Sequence, residues 1–285
     1  MAFKCRTIPT TLQGSTDLYI PVKLPNTNSS YISSGLVYLA KNSSNHLVAI
    51  KAVSIKSVID KNNSFPEIDA MIELSNYPNC DKHIVCFHEF IQRDDCGYIV
   101  MEYIKGLSLD KHIREERLSE NSILDIFRIL IQTLHYMHKK NIMHRDIKPD
   151  NIILETISRN ESNIKIVDLG FACLWERPIQ SRYLLSGCSE YNNSASYVDP
   201  IIAKFKIYDN PKSDIYSLGL VIFSLIIGQV LNIQQVKEHF DLNAEILREL
   251  DKCEYKFADI VKRMLSLDIE ERPTSEEVVL SLEAI

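Results

Sequence analysis

Hydrophobic and polar positions change period part-way along the chain. Up to about residue 103, apolar residues come in short runs bounded by polar turn-formers, the period of strands. Leu36-Val37-Tyr38-Leu39-Ala40 and Leu47-Val48-Ala49-Ile50-Lys51-Ala52-Val53 are two such runs, joined by Asn42-Ser43-Ser44-Asn45. Ile84 to Ile91 and Tyr98 to Tyr103 predict two more, separated by Asp94-Asp95-Cys96-Gly97. Among them, Glu67 to Leu74 carries apolar residues at helical spacing, with Pro66 beside its start, where a missing N–H is tolerated. After Gly106 the helical period takes over. Ile123, Ile126, Phe127, Leu130, Ile131, Leu134 and Met137 mark one face of a helix beginning near Ser119. His138-Lys139-Lys140 in its last turn and Asn141 beyond suit a helix C-terminus. Asn151 to Leu154 and Ile164 to Val167 predict a short strand pair around a polar loop, and about Ser213 to Ile227 a helix ending at Gly228. That helix is apolar nearly all round and must be buried on every side. Residues 1 to about 18 are polar and unpatterned, a tail or a strap. The pattern therefore predicts an α+β chain: an N-terminal tail over 1–18, a small β-rich lobe with one main helix over 19–102, and a larger, mostly helical lobe over 103–285.

Composition narrows the function classes. With 285 residues, 45% hydrophobic and 25% charged, the chain is ordinary globular material, which excludes wholesale disorder and a membrane bundle. A net charge of −6 without a basic run argues against a nucleic-acid platform. The longest apolar stretch, Leu218 to Gly228, is interrupted by Ser224 and falls short of the ~20 residues a membrane span needs. MAFKCRTIPT has no continuous apolar core, so it does not read as a secretory signal. The cysteines at 5, 80, 86, 96, 173, 188 and 253 are odd in number, scattered and without a CxxC. They read as reduced thiols in a cytoplasmic or other reducing compartment. Glycine is scarce: 8 residues against the ~20 of average usage, so each one should sit where nothing else fits.

The candidate chemistry lies in His144-Arg145-Asp146-Ile147-Lys148-Pro149-Asp150-Asn151, followed 17 residues after Asn151 by Asp168-Leu169-Gly170. This pair of motifs resembles the catalytic loop and metal-binding turn of the eukaryotic protein kinases, and the likeness runs from about residue 30 to Ile285. The resemblance implies a bilobal kinase fold, ATP and Mg²⁺ as nucleotide and metal, and protein substrates with serine or threonine acceptors. Asp146 would then take the proton of the acceptor hydroxyl, Lys148 would face the γ-phosphate, and Asn151 and Asp168 would hold the metal. A lysine at 148 is similar to the serine/threonine kinases. Val48-Ala49-Ile50-Lys51 resembles the strand whose lysine grips the α- and β-phosphates, with Glu67 as its helix partner and Glu73 as the alternative. Met101-Glu102-Tyr103-Ile104 resembles the hinge, where backbone groups of Glu102 and Ile104 would bond adenine; Val37, Ala49 and Ile153 would sandwich the ring. By the same resemblance, Ser194 would stand in the segment that seats the substrate peptide, Asp214 at the start of the buried helix, and Glu271-Arg272-Pro273-Thr274 at the closing motif. Gly35, Gly106, Gly170 and Gly219 fall on family glycine positions.

Two departures from the family pattern stand out. Aligning Gly35 with the third glycine of the nucleotide loop places Ser30 and Ile32 where the first two belong, and a branched side chain at 32 predicts weaker ATP binding or a lifted loop. Ile201 follows Pro200 where the family has a glutamate paired with the arginine matched by Arg272. Arg272 is therefore expected to be exposed or paired elsewhere, with Asp199 a candidate. Ser186 and Ser189 are candidate phosphorylation sites, because Arg145 precedes the catalytic aspartate as in kinases switched by activation-loop phosphorylation. Three other readings compete with an active protein kinase. A pseudokinase scaffold would fit Ile32 and Ile201, and a small-molecule kinase would share the fold. Cys80, His83, Cys86 and His88 are zinc-ligand types, but their spacing leaves no loop to wrap an ion.

Overall fold

The computed structural model describes residues 5, 9–23, 31–33, 37–59, 65–115, 117–158, 161–176, 184–185, 195–201, 210–232 and 236–285. Gly35, Ser186, Ser189 and Ser194 lie outside them, as does the side chain of Ile32. The chain forms two compact units, Met1–Lys105 and Gly106–Ile285. The α+β class is as the sequence predicts, strand-rich in the first unit and mostly helical in the second.

The first unit is built on one antiparallel sheet in the order β1 (Leu12–Gln13), β2 (Leu18–Pro21), β4 (Val37–Lys41), β5 (Leu47–Ser54), β7 (Cys96–Glu102), β6 (Phe87–Arg93). β2 and β3 (Tyr31–Ser33) share one edge of β4 in succession: β2 pairs with Lys41 and Ala40, β3 with Tyr38 and Val37. A one-turn helix α1 (Ile55–Val58) follows β5, then α2 (Pro66–Leu74), with Pro66 in its first turn. Alternation along the strands sends Tyr38, Ala40, Val48, Ile50, Ala52, Cys96, Tyr98 and Val100 into a single buried cluster.

That cluster is completed by Cys5, Leu12 and Tyr19. Of the two forms expected for residues 1–18, a tail or a strap, the described residues 5 and 9–18 take the second. Leu12 and Tyr19 are 1% and 2% exposed, and each contributes roughly 1.5–3 kcal/mol by leaving water. Glu89 of β6 fastens the strap with hydrogen bonds from Ser15 N (2.8 Å), Ser15 Oγ (2.9 Å) and Tyr19 Oη (2.6 Å). A Cys5–Cys96 disulfide closes it covalently, and Cys80–Cys86 is a second disulfide. Cys173 is bonded too, and Cys253 is the free thiol among the described residues. Reading all seven cysteines as reduced thiols was therefore incorrect: pairing depends on which Cβ atoms the fold brings together, and sequence spacing does not show that. No group of three or more His, Cys, Asp or Glu suited to a metal exists among the described residues, and Cys80 and Cys86 are spent on each other.

In the second unit, β8 (Gly106–Ser108) pairs with β10 (Ile152–Ser158), which pairs with β11 (Glu161–Ile166). Gly106 is needed there, since a Cβ would meet Leu154 O at 2.2 Å. α3 (Leu109–Glu115) leads to α4 (Glu120–Lys139), which Ser119 caps by accepting a hydrogen bond from Ser122 N. Asn141, with φ 57°, takes the left-handed turn that ends it and leads into β9 (Ile142–Met143). β9 pairs with β12 (Cys173–Glu176), which pairs with β13 (Leu184–Leu185). α5 (Lys212–Ile227) is buried along nearly its whole length and ends at Gly228, φ 67°. α6 (Val236–Asp251), α7 (Ala258–Met264) and α8 (Ser275–Glu283) follow, the last opened by a Thr274–Glu277 capping box. No helix among the described residues is long and apolar enough to cross a membrane.

Candidate active site

In the first unit the strand register decides which candidate side chains share a face. Val37 lies opposite Lys51, and Leu39 opposite Ala49. Cross-strand partners project to the same side, so Val37, Ala49 and Lys51 stand together, facing away from the Tyr38–Ile50–Val100 cluster. Lys51 Nζ meets Glu67 Oε1 at 2.5 Å, with the two side chains 15% and 7% exposed. Glu67 is thus the helix partner. Glu73, six residues on, points about 240° round α2 from it. At the end of β7, Glu102 is held by both of its ends: its N–H donates to Cys86 O at 3.0 Å, and its Oε1 accepts from Cys86 N at 2.7 Å. Nothing in the local residue pattern signals that this side chain is engaged. Ile104 is buried two residues later.

In the second unit the loop after β9 is suspended from the first turn of α5. Asp214 Oδ1 accepts the Arg145 N–H at 2.8 Å, and Oδ2 accepts the His144 N–H at 2.9 Å and lies 3.0 Å from His138 Nε2. Burial works to raise the Asp214 pKa. The hydrogen bond and charge of His138, with His144 behind them, outweigh it and hold the carboxyl below its ordinary value. His144 fixes the next link. Asp146 N–H donates to His144 Nδ1 at 3.2 Å, so the ring proton sits on Nε2 and is directed to Val167 O at 3.3 Å. The loop is thereby tied to the chain immediately before Asp168.

Within the loop, Lys148 Nζ lies 2.7 Å from Asp146 Oδ2, and Asn151 Nδ2 donates to the same oxygen at 2.8 Å and to Asp146 O at 2.9 Å. Asp146 Oδ1 takes no hydrogen bond from the described residues. Asp168 reaches this place through the β10–β11 hairpin: Ile152 pairs with Ile166, and Val167 N donates to Asn151 O at 2.9 Å, so the next residue emerges beside Asn151. Ile153, on β10, lies between Lys165 and Ser108 in the register. Arg145 and Asp168 have φ 66° and 63°, a left-handed conformation that costs residues with side chains about 1–3 kcal/mol and gathers at functional sites.

One anchor escapes the sequence reading, and a second takes one of its two expected forms. His138, read as a helix-terminal cation, instead spans Asp214 and Ser275, with Nδ1 3.2 Å from Ser275 Oγ. The available signal was its place one helical turn after Leu134, on the buried face. Arg272 is completely buried, and of its two expected forms, exposed or newly paired, it takes the second, with the candidate Asp199 at 2.5 Å. Its Nη1 also donates to Lys212 O (2.9 Å), its Nε and Nη2 donate to Ser266 O (3.1 and 2.9 Å), and its guanidinium lies over the Tyr216 ring.

Comparison with known proteins agrees with this geometry. Residues 33–281 match the protein kinase domain family. The chain is 35% identical over 198 residues to NUAK family SNF1-like kinase 2 of Homo sapiens, covering 68% of this chain and 29% of that protein. It is 30% identical over 247 residues to CBL-interacting serine/threonine-protein kinase 20 of Arabidopsis thaliana, covering 84% and 52%. Against NUAK family SNF1-like kinase 1 of Mus musculus it is 30% identical over 246 residues, covering 82% and 34%. The chain thus spans about half or less of the length of these relatives. A catalytic loop hung from a buried helix, a lysine–glutamate pair on the sheet and a family match over most of the sequence lead to one assignment: the chain belongs to the protein kinase family.

Proposed function

We propose that the chain is an active serine/threonine protein kinase, moving the γ-phosphoryl group of ATP to hydroxyls of protein substrates with Mg²⁺. The observation that carries this reading is the arrangement around Asp146, whose Oδ2 is held by Lys148 and Asn151 while Oδ1 is left to receive a proton. The donor set suits the nucleotide and its metal. With Nδ2 of Asn151 turned to Asp146, its Oδ1 and the Asp168 carboxylate are the hard oxygens that Mg²⁺ favours. Mg-ATP would supply the electrophilic phosphoryl group and screen its charge; apart from the proton taken by Asp146, the side chains position and stabilise. Lys148, fixed against Asp146 at 2.7 Å, would bring its ammonium to the γ-phosphate charge. In the first unit, Lys51, steadied by Glu67, would hold the α- and β-phosphates, Val37 and Ala49 on the same sheet face would line the adenine, and backbone groups of Glu102 and Ile104 would bond it; for Ile153 of the second unit the family resemblance implies a place against the same ring. The names of the relatives, a serine/threonine-protein kinase among them, support the acceptor class.

The test is labelled Mg-ATP with a generic protein substrate, comparing wild type with Asp146→Asn and Lys51→Met. Transfer by the wild type that falls at least a hundredfold in both variants is expected. No transfer by a folded wild type would favour a scaffold lacking catalysis.

A further inference from the structure

We infer that Cys80–Cys86 is a thiol–disulfide exchange site, opened by low-molecular-weight thiols of the glutathione class, and that its state sets how firmly the first unit holds ATP. The effect on ATP rests on the kinase reading above; the exchange itself does not. The two disulfides of the first unit differ in what can reach them. Cys5 and Cys96 are 7% and 9% exposed and lie in the buried cluster under the strap. Cys80 is exposed, whereas its partner Cys86 is buried. Exchange needs a thiolate to reach one sulfur of the bond, so Cys80–Cys86 presents an attackable atom and Cys5–Cys96 does not. Loop size points the same way. The exposed bond has a sequence separation of 6 against 91, so opening it releases far less chain entropy and leaves the fold standing. In the exchange, a thiolate attacks Cys80 Sγ, the S–S bond breaks, and Cys86 leaves as a thiolate that takes a proton from water. A second thiolate attacks the mixed disulfide at the reagent's sulfur and releases Cys80. Two thiols become one small disulfide while the protein gains two electrons and two protons, and oxidised glutathione runs the sequence backwards.

The ring closed by this bond is fastened on two sides. On one side is Glu102: the Cys86 N–H donates to Glu102 Oε1 at 2.7 Å, and Cys86 O accepts the Glu102 N–H at 3.0 Å. On the other is Ser75, which follows α2 and whose N–H donates to Met71 O at 2.9 Å. Ser75 Oγ accepts the Asp81 N–H at 3.0 Å and donates to Ile84 O at 3.3 Å, while Ser75 O accepts the Phe87 N–H at 2.8 Å. One serine at the end of α2 thus bonds residues 81, 84 and 87, and the same helix carries Glu67, the partner of Lys51. With the bond closed, the Cys86 backbone is braced by Cys80, Cα to Cα 5.2 Å, as well as by its own chain neighbours. With it open, 80–86 keeps only its hydrogen bonds, and Glu102 and the end of α2 both lose a braced neighbour. In the kinase reading these are the backbone that bonds adenine and the helix that steadies the phosphate-holding lysine. The closed form is therefore the tighter binder of ATP.

The test poises the full chain in buffers of reduced and oxidised glutathione, alkylates it, and reads each cysteine by mass. Equilibrium binding of Mg-ATP and amide hydrogen exchange over 84–88 and 100–103 are measured at the same poises. Cys80 and Cys86 are expected to become alkylated where Cys5 and Cys96 stay bonded. At that poise Kd for Mg-ATP should rise at least threefold, hydrogen exchange should accelerate over both stretches, and oxidised glutathione should restore every reading. Cys80→Ser should show the weaker affinity at all poises; should it fail to fold, the mildly reduced wild type makes the comparison alone. Both bonds opening together, or Cys5–Cys96 opening first, would overturn the exchange site. A Kd within about 1.5-fold of the oxidised value, or unaltered hydrogen exchange, would overturn its coupling to the nucleotide. If the oxidised wild type binds no Mg-ATP, the kinase reading fails instead. Alkylation and hydrogen exchange then decide whether the bond is exchangeable and whether it braces Glu102.

Discussion

Replacing Asp214 by asparagine tests the suspension of the catalytic loop most directly. The carboxylate receives three donors, Arg145 N–H on Oδ1 and His144 N–H with His138 Nε2 on Oδ2. An amide has one oxygen. Its best orientation keeps oxygen at the doubly bonded position and turns its NH₂ against the Arg145 N–H, leaving a buried donor facing a donor. That orphan costs about 1–3 kcal/mol, and the two surviving bonds lose charge assistance worth about 1 kcal/mol each. Burying a neutral amide in place of a charge returns part of this, so a net loss of about 3 kcal/mol is expected. For a unit of this size that lowers Tm by roughly 6–12 °C. The depressed pKa adds a second signature. A carboxyl held below its unfolded value contributes stability above about pH 4 that is lost as pH falls through its folded value. The gap between wild type and Asp214→Asn should therefore be full at neutral pH and close in acid. Thermal melts between pH 3 and 7, with kcat measured alongside, make the comparison. A Tm change under about 2 °C at pH 7, or a gap that persists unchanged into acid, would refute the reasoning.

Three further outcomes are expected. Opening the Cys5–Cys96 bond, which spans 91 residues, releases about 4.6 kcal/mol of chain-entropy restriction at most, so Cys5→Ser and a dithiol reductant should each lower Tm by roughly 10 °C; intact mass after alkylation shows which thiols are free, and unaltered melting in the variant would exclude a structural bond. Burial, then the hydrogen bond and charge of Glu89, push the Tyr19 phenol well above its ordinary value, so its contribution is present below about pH 10 and lost as pH rises further; Tyr19→Phe should flatten the alkaline fall in Tm, and an unchanged slope would contradict it. Ile32→Gly should lower KM for ATP severalfold in a kinase assay, and an unchanged KM would remove the glycine-loop account.

What the sequence disclosed followed from strong local periodicity. The α4 cap at Ser119 and the Gly228 stop of α5 were legible because capping is written in adjacent residues. The catalytic loop was legible because its eight residues, His144 to Asn151, carry the resemblance to a family signature together, with Asp168 in a second short motif. Partners chosen by tertiary approach were less accessible. Glu67 and Glu73 share a short helix, and only the direction of that helix separates them. Leu12 and Tyr19 sit in strands of two and four residues, too short for any period to show, so a built-in strap read equally well as a tail. For Arg272 the sequence offered exposure or a new partner, with Asp199 the candidate, and packing selects the pairing with Asp199.

The bond between Cys5 and Cys96 turns most of the first unit into a covalent ring. A single protease cut anywhere from residue 6 to residue 95 would linearise that ring without freeing a fragment. On a non-reducing gel the nicked chain would run as one species, and only a reductant would part it in two. Digestion patterns of this protein consequently carry information about its topology as well as its exposed loops.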